Sequence, residues 1–118
     1  MPDRGPAGDL TEMLEAIGRV DLYVRGMDEA TFAASMIAYD AVLMNLLVVG
    51  EAVRRIDVAV LSQEPAIEWA KIVGLRNRIA HGYEDIEPAV IWATILRDLP
   101  ALREAGSRLL ARHPPPRS

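Results

Sequence analysis

The chain carries two histidines, and one of them, His81, closes a short run with Arg76, Asn77 and Arg78 before it and Tyr83 after it. Imidazole is the side chain whose ordinary pKa lies nearest neutrality, so it both takes and gives a proton. Guanidinium is a lasting cation whose planar fork matches phosphate oxygens. Together they are a minimal kit for breaking a phosphodiester bond without a metal. The imidazole works on the 2′-hydroxyl or on the leaving oxygen, and the guanidinium neutralises charge growing on phosphorus. His81 and Arg76 are thus the candidate catalytic pair, with Asn77 and Arg78 as substrate-positioning candidates. One imidazole cannot be base and acid at the same moment. A two-fold axis beside the run would supply a second His81 and a second Arg76.

The geometry of a helix constrains this idea. Asn77 and His81 are four apart and share a helix face. Arg76 and His81 are five apart, about 140° around the axis. They meet only if the Arg76 stem wraps round, if the helix loosens near Gly82, or if the second member comes from a partner chain. Taken singly, each residue has a blander explanation. A His at a helix C-terminus is a favourable dipole partner, Arg76 and Arg78 suit a solvated face, and Tyr83 suits the rim of a bundle. Only the spacing of the whole set favours a site.

Other positions are weaker candidates. Asn45 and Glu51 fall on an otherwise apolar stretch, where buried polar groups need partners, and either one is a second-tier candidate for orienting Arg76 or His81. Arg54 and Arg55 extend a cationic cleft or form an ordinary surface pair. His113 lies in a Pro-rich end and receives no role. The chain has no Cys, and neither a second His nor a close carboxylate cluster accompanies His81, so no metal site is expected. No cofactor is implied.

The elements that must hold these residues are helical. At 118 residues the chain has the length of one domain, and it can build a core without staples. The net charge of -4 excludes a generally basic nucleic-acid surface, so a polyanion would need a local Arg cluster. Residues 1–8 are expected to be disordered, residues 9–112 to form the domain, and residues 113–118 to be a disordered tail. Asp9 and Glu12 have capping-box spacing. Leu10, Met13, Leu14, Ile17, Val20, Leu22 and Val24 recur at helical spacing, which predicts a first helix stopping at Gly26. Asp28 should cap a short helix over 29–35.

A long helix is predicted over 37–58, apolar nearly all round in its first half, which calls for cover on several sides. A second subunit is the economical cover, because most soluble oligomers are symmetric. A further helix is expected over 66–81, with Gly82 as a left-handed stop. Pro88 suits the start of a last helix reaching about Arg112, kinked at Pro100. No convincing strand is present. The N-terminus has neither the cationic start nor the apolar core of a signal peptide. The most apolar run, residues 41–50, is about half a membrane span. A cytoplasmic protein with no membrane contact is expected.

The set Arg76-x4-His81-x-Tyr83 resembles the motif of the HEPN superfamily, specifically its HepT-like toxins. The likeness extends to MLEAIGRVDLYVRG as a first helix and to DAVLMNLLVVGEAVRRI as a long central helix, with Asn45, Gly50 and Glu51 in the family's places. Trp69, IVGLRNRIAHGY and VIWATILRDLPAL follow in order, and the match covers about residues 9–105. The loop over 57–68 departs from the family in being apolar. The resemblance implies an all-α, antiparallel HEPN bundle of four to five helices that forms a homodimer. It implies a metal-independent endoribonuclease toxin acting on RNA, partnered by a minimal nucleotidyltransferase antitoxin that attaches AMP to Tyr83. The rival reading is a non-catalytic HEPN module that binds a nucleotide or a nucleotidyltransferase, and the acidic charge balance favours that rival.

Overall fold

Leu10, Met13, Ala16, Ile17 and Val20 form one fully buried stripe, and their helical spacing makes α1, Ala7–Tyr23. The computed structural model describes residues 5–82 and 85–116. The start of α1 differs from expectation. Pro6 stands at the N-cap without a side-chain bond, and Asp9 lies inside the first turn. Asp9 therefore meets the positive end of the helix dipole and is not a cap. The buried stripe ends at Val20, because Leu22 is 57% exposed. Gly26 adopts φ 78°, a left-handed turn that glycine takes without a steric penalty.

Asp28 then starts α2, Glu29–Ala34, through a capping box with Thr31. Its carboxylate accepts the Thr31 N–H at 2.8 Å, and the Thr31 hydroxyl accepts the Asp28 N–H at 2.9 Å. The Thr31 N–H holds the Asp28 carboxyl below the usual range. Phe32 is fully buried, with its ring against Tyr39 and Trp92 at centroid distances of 5.9 and 5.3 Å.

Ser35 caps α3, Met36–Arg55, by accepting the Ala38 N–H. This helix ends earlier than the periodicity suggests. Ile56 turns extended, and Asp57 caps a separate short helix, α4, Val58–Leu61. The Trp69 indole N–H, donating to the carbonyls of Leu61 and Glu64 at 2.9 and 3.2 Å, ties this connection to the head of α5, Trp69–Gly82. Glu64 is buried among Arg108 and Arg112, so this mostly apolar loop is fastened by charge at its centre. Gly82 is the last residue of α5 and is not left-handed; the described glycines with positive φ are Gly5 and Gly26.

Pro88 occupies the first turn of α6, Pro88–Ala93. The chain then opens into a π-helical turn, Thr94–Asp98, before α7, Leu99–Arg112. Pro100 falls in the first turn of α7, where its missing N–H costs little. The expected kink thus takes the form of a π turn just upstream. At the end of the domain, the His113 ring pairs with Gln63 at 2.9 Å.

The result is an all-α bundle centred on α3, which packs against α1 on one flank and α5 on another, while α7 closes over α1 and α2 meets α6. Contacts fix the directions. Asn45 meets Arg19 and Arg55 approaches Asp9, so α1 and α3 are antiparallel. Gly50 meets Arg76, and Leu43 and Met44 share a depression with Ile79, so α3 and α5 are antiparallel too. No strand occurs among the described residues. By length and composition α3 as a whole could cross a membrane, a longer span than the run 41–50 alone implied, but half of its most apolar window is buried inside the fold.

Candidate active site

Gly50 determines how closely α3 and α5 approach. A Cβ built there would lie 2.2 Å from the Arg76 Cβ and 2.8 Å from its Cγ. Only a residue without a side chain lets the Arg76 stem cross α3 at this point. A glycine inside a helix costs about 1 kcal/mol relative to alanine, and here that cost is offset by a helix contact of unusual closeness.

One turn of chemistry follows from the crossing. Glu51, next to Gly50, forms an ion pair with Arg76, its carboxylate 3.1 Å from the Nε. An Arg76 Nη1 donates to the Asn77 Oδ1 at 3.0 Å. The guanidinium is thereby fixed on one edge, and its remaining N–H donors stay available to an anion. Glu51 also pairs with Arg54 and, at 3.7 Å, with Arg55. The Arg54 hydrogen bond, reinforced by the charges of Arg54, Arg76 and Arg55, holds the Glu51 carboxyl below the usual range against the opposing effect of burial. One carboxylate thus faces three guanidiniums, though Arg55 also lies 4.0 and 3.9 Å from Asp9 and Glu12. Asp9 and Glu12 balance Arg55, so the positive charge left at this crossing is that of Arg54 and Arg76 over Glu51, a small local excess in a chain whose net charge is -4.

Glu51 forms an ion pair with Arg76, the residue it was weighed as orienting. Asn45 does not. It is buried, its Oδ1 accepts the Arg19 Nε at 2.7 Å, and its Nδ2 donates to the Ala41 carbonyl at 2.9 Å. Its polar atoms are spent on the α1–α3 seam, away from Arg76. Asn77 and Arg78 are exposed on α5, Asn77 against Arg76. His81 is exposed on the last turn of α5, and no described residue hydrogen-bonds its ring. Because α5 is helical through Gly82, the option of a loosened helix end is closed. Either the long arm of Arg76 or a partner chain must join the pair. Tyr83 lies outside the described residues.

The spacing of Arg76, Asn77, Arg78 and His81 singled out the candidate residues, but not the helix crossing beside Arg76. Gly50 left one signal, a lone glycine interrupting an apolar helix, whose price in propensity demands a packing reason. Beyond the site, the outward face of α3 exposes Ile37 at 86% and Met44 at 61%. Met44 lines a depression of about 220 Å³ with Asp40, Leu43, Leu47 and Ile79.

Comparison with known proteins matches residues 13–109 to the family described as "Ribonuclease HepT-like". The chain is 28% identical over 104 residues to "Putative RNase MJ1380" of Methanocaldococcus jannaschii, covering 88% of this chain and 95% of that one. It is 27% identical over 100 residues to "Probable ribonuclease HepT" of Thermococcus cleftensis, covering 85% and 91%. It is 26% identical over 89 residues to "Putative RNase TTE0752" of Caldanaerobacter subterraneus subsp. tengcongensis, covering 75% and 80%. No solved structure matches the chain. With the family match spanning most of its length and an all-α bundle carrying the motif, the chain belongs to the HepT-like ribonucleases of the HEPN superfamily.

Proposed function

We propose that this chain is a metal-independent endoribonuclease toxin that cuts RNA by attack of a ribose 2′-hydroxyl on the adjacent phosphorus. The observation that carries the reading is Arg76, clamped by Glu51 at 3.1 Å where α3 and α5 cross, with the exposed His81 ring on the same helix. In the first half of the step, one His81 takes the 2′-hydroxyl proton as the 2′-oxygen bonds to phosphorus. The free N–H groups of Arg76 meet the charge on the non-bridging oxygens. In the second half, the bond from phosphorus to the 5′-oxygen breaks and an imidazolium protonates that oxygen. The products are a 2′,3′-cyclic phosphate and a 5′-hydroxyl. Acid–base catalysis of this kind is worth about a hundred- to ten-thousandfold in rate.

A homodimer supplies the two imidazoles. Ile37, Met44 and Leu47 on the outer face of α3 offer apolar surface for symmetric pairing, and the same helix carries Glu51, the ion-pair partner of Arg76 on α5. Asn77 and Arg78 position the flanking phosphates. In a cytoplasmic toxin–antitoxin pair, a minimal nucleotidyltransferase would inactivate the site by attaching AMP to Tyr83. That adds bulk and negative charge where an RNA phosphate must bind.

The test is incubation of purified protein with end-labelled RNA in EDTA. Cleavage leaving 2′,3′-cyclic or 3′-phosphate ends, lost in His81→Ala, is expected. Cleavage that survives His81→Ala removes His81 from the mechanism. Intact RNA together with nucleotide binding that depends on Arg76 identifies a binding module instead.

A further inference from the structure

The face of α5 that carries His81 continues into a groove that the catalytic pair does not use. At about 100° per residue, Gly74 lies about 20° from His81 around the helix, Arg78 about 60° and Lys71 about 80°, while Arg76 points elsewhere. Lys71, Gly74 and Arg78 form one wall of a groove of about 340 Å³, with Val90 and Asp98 opposite. It continues into a section of about 280 Å³ bordered by Lys71 and Arg97. The far wall is the π-helical turn Thr94–Asp98, an element that concentrates at functional sites.

The charge of this groove is cationic. Asp98 holds the Lys71 ammonium at 3.5 Å, fixing it in the groove. Arg78 and Arg97 are exposed, and no described residue forms an ion pair with either. Val90, 42% exposed, adds apolar wall. At the middle of the groove, Gly74 leaves the helix bare, and a Cβ there would meet nothing within 4 Å.

We propose that this groove is a single-stranded RNA subsite, in which Arg78, Lys71 and Arg97 bind successive phosphates of the strand leaving the His81 site. The inference rests on the ribonuclease reading for its ligand. A groove that tracks a nucleic-acid backbone needs spaced cations and open depth. Here three cations lie in an acidic chain, in a channel that begins on the face of the proposed acid–base residue. His81 and Lys71 lie about 15 Å apart along the helix axis, and the groove occupies the stretch from Arg78 to Lys71.

The experiment measures binding of a fluorescein-labelled RNA of about 12 nucleotides by anisotropy across a salt series. His81→Ala is the non-cleaving background, and cleavage of the same RNA by the wild type runs in parallel. Lys71→Ala with Arg97→Ala should weaken binding about tenfold and lower the salt slope by about 1.4, or about 0.7 per lost phosphate contact. Gly74→Leu should weaken binding to a similar extent with the slope unchanged, because it blocks the groove without removing charge. Thermal unfolding checks that each variant is folded. Arg25→Ala, which removes a cation that lines neither section of the groove, should bind within about twofold of the background. The groove is refuted if the double variant and Gly74→Leu both bind as the background does, or if the background binds no RNA. Binding that depends on the groove, with no cleavage by the wild type, would sink the ribonuclease reading and leave the subsite standing.

Discussion

Gly50→Ala isolates the contact that positions the proposed phosphate-binding arginine. The added methyl would lie 2.2 Å from the Arg76 Cβ and 3.4 Å from the Ile72 carbonyl oxygen. Carbon atoms rest at about 3.5–4.0 Å, so α5 must move out by more than about 1 Å. The Arg76 Cβ is bonded to the backbone, and rotation of the side chain cannot relieve the clash. Overpacking costs about 1–3 kcal/mol, and alanine returns about 1 kcal/mol of helix propensity. A net loss of up to about 2 kcal/mol is expected, with Tm falling by roughly 4 °C per kcal/mol. A displacement of about 1 Å at a catalytic group costs about a hundredfold in rate. Gly18→Ala is the control, because its Cβ meets nothing within 4 Å, and it should raise stability by up to about 1 kcal/mol. Urea unfolding and RNA cleavage by both variants decide the matter. If Gly50→Ala is as stable and active as Gly18→Ala, the close α3–α5 contact does not place Arg76.

Three further predictions follow from the charges and polar atoms. Glu51→Gln keeps an acceptor for Arg76 but removes the charge, and should lower kcat about tenfold with little change in KM, since it disturbs positioning and not binding; a changed KM with intact kcat would contradict this role. Asn45→Ala breaks the bonds to Arg19 and Ala41, and should cost about 1–3 kcal/mol in denaturant unfolding while cleavage per folded molecule is unchanged; a specific loss of cleavage would return Asn45 to the site. The Arg108 hydrogen bond, against the opposing effect of burial, holds the Glu64 carboxyl below its ordinary 4.5. Its stabilisation is therefore complete above that value and is lost as pH falls through the depressed one. Unfolding measured between about pH 6 and pH 3 should show Glu64→Gln losing less stability on acidification than the wild type, and parallel curves would remove Glu64 from the acid response.

Much of the architecture was legible because burial and periodicity coincide. The stripe from Leu10 to Val20, the Asp28 cap and Pro88 each act within a few residues, and each stands where local rules put it. The misses arise where distant residues decide. α3 stops at Arg55 because Asp57 can cap a new helix and Trp69 ties the following connection to α5, and no periodicity reports such a tie. Gly82 remains helical, so its composition suggested a stop that the backbone does not make. The π turn was visible only as Pro100, which marks a disturbance without saying where the helix will widen. At the candidate site, spacing singled out Arg76 and His81 as candidates, but the partners of Asn45 and Glu51 depended on which helix each polar group faces. α1 takes the first and α5 takes the second.

The central claim is that two copies of His81 act on one phosphodiester, and subunit dilution tests it most directly. Wild type and His81→Ala are unfolded together, refolded at graded ratios, and assayed for RNA cleavage at constant total protein. If both imidazoles are required, only wild-type pairs cut, and an equal mixture retains about a quarter of the activity, falling as the square of the wild-type fraction. A straight-line fall, with about half the activity left at equal mixing, would show that each protomer works alone and would contradict the shared site.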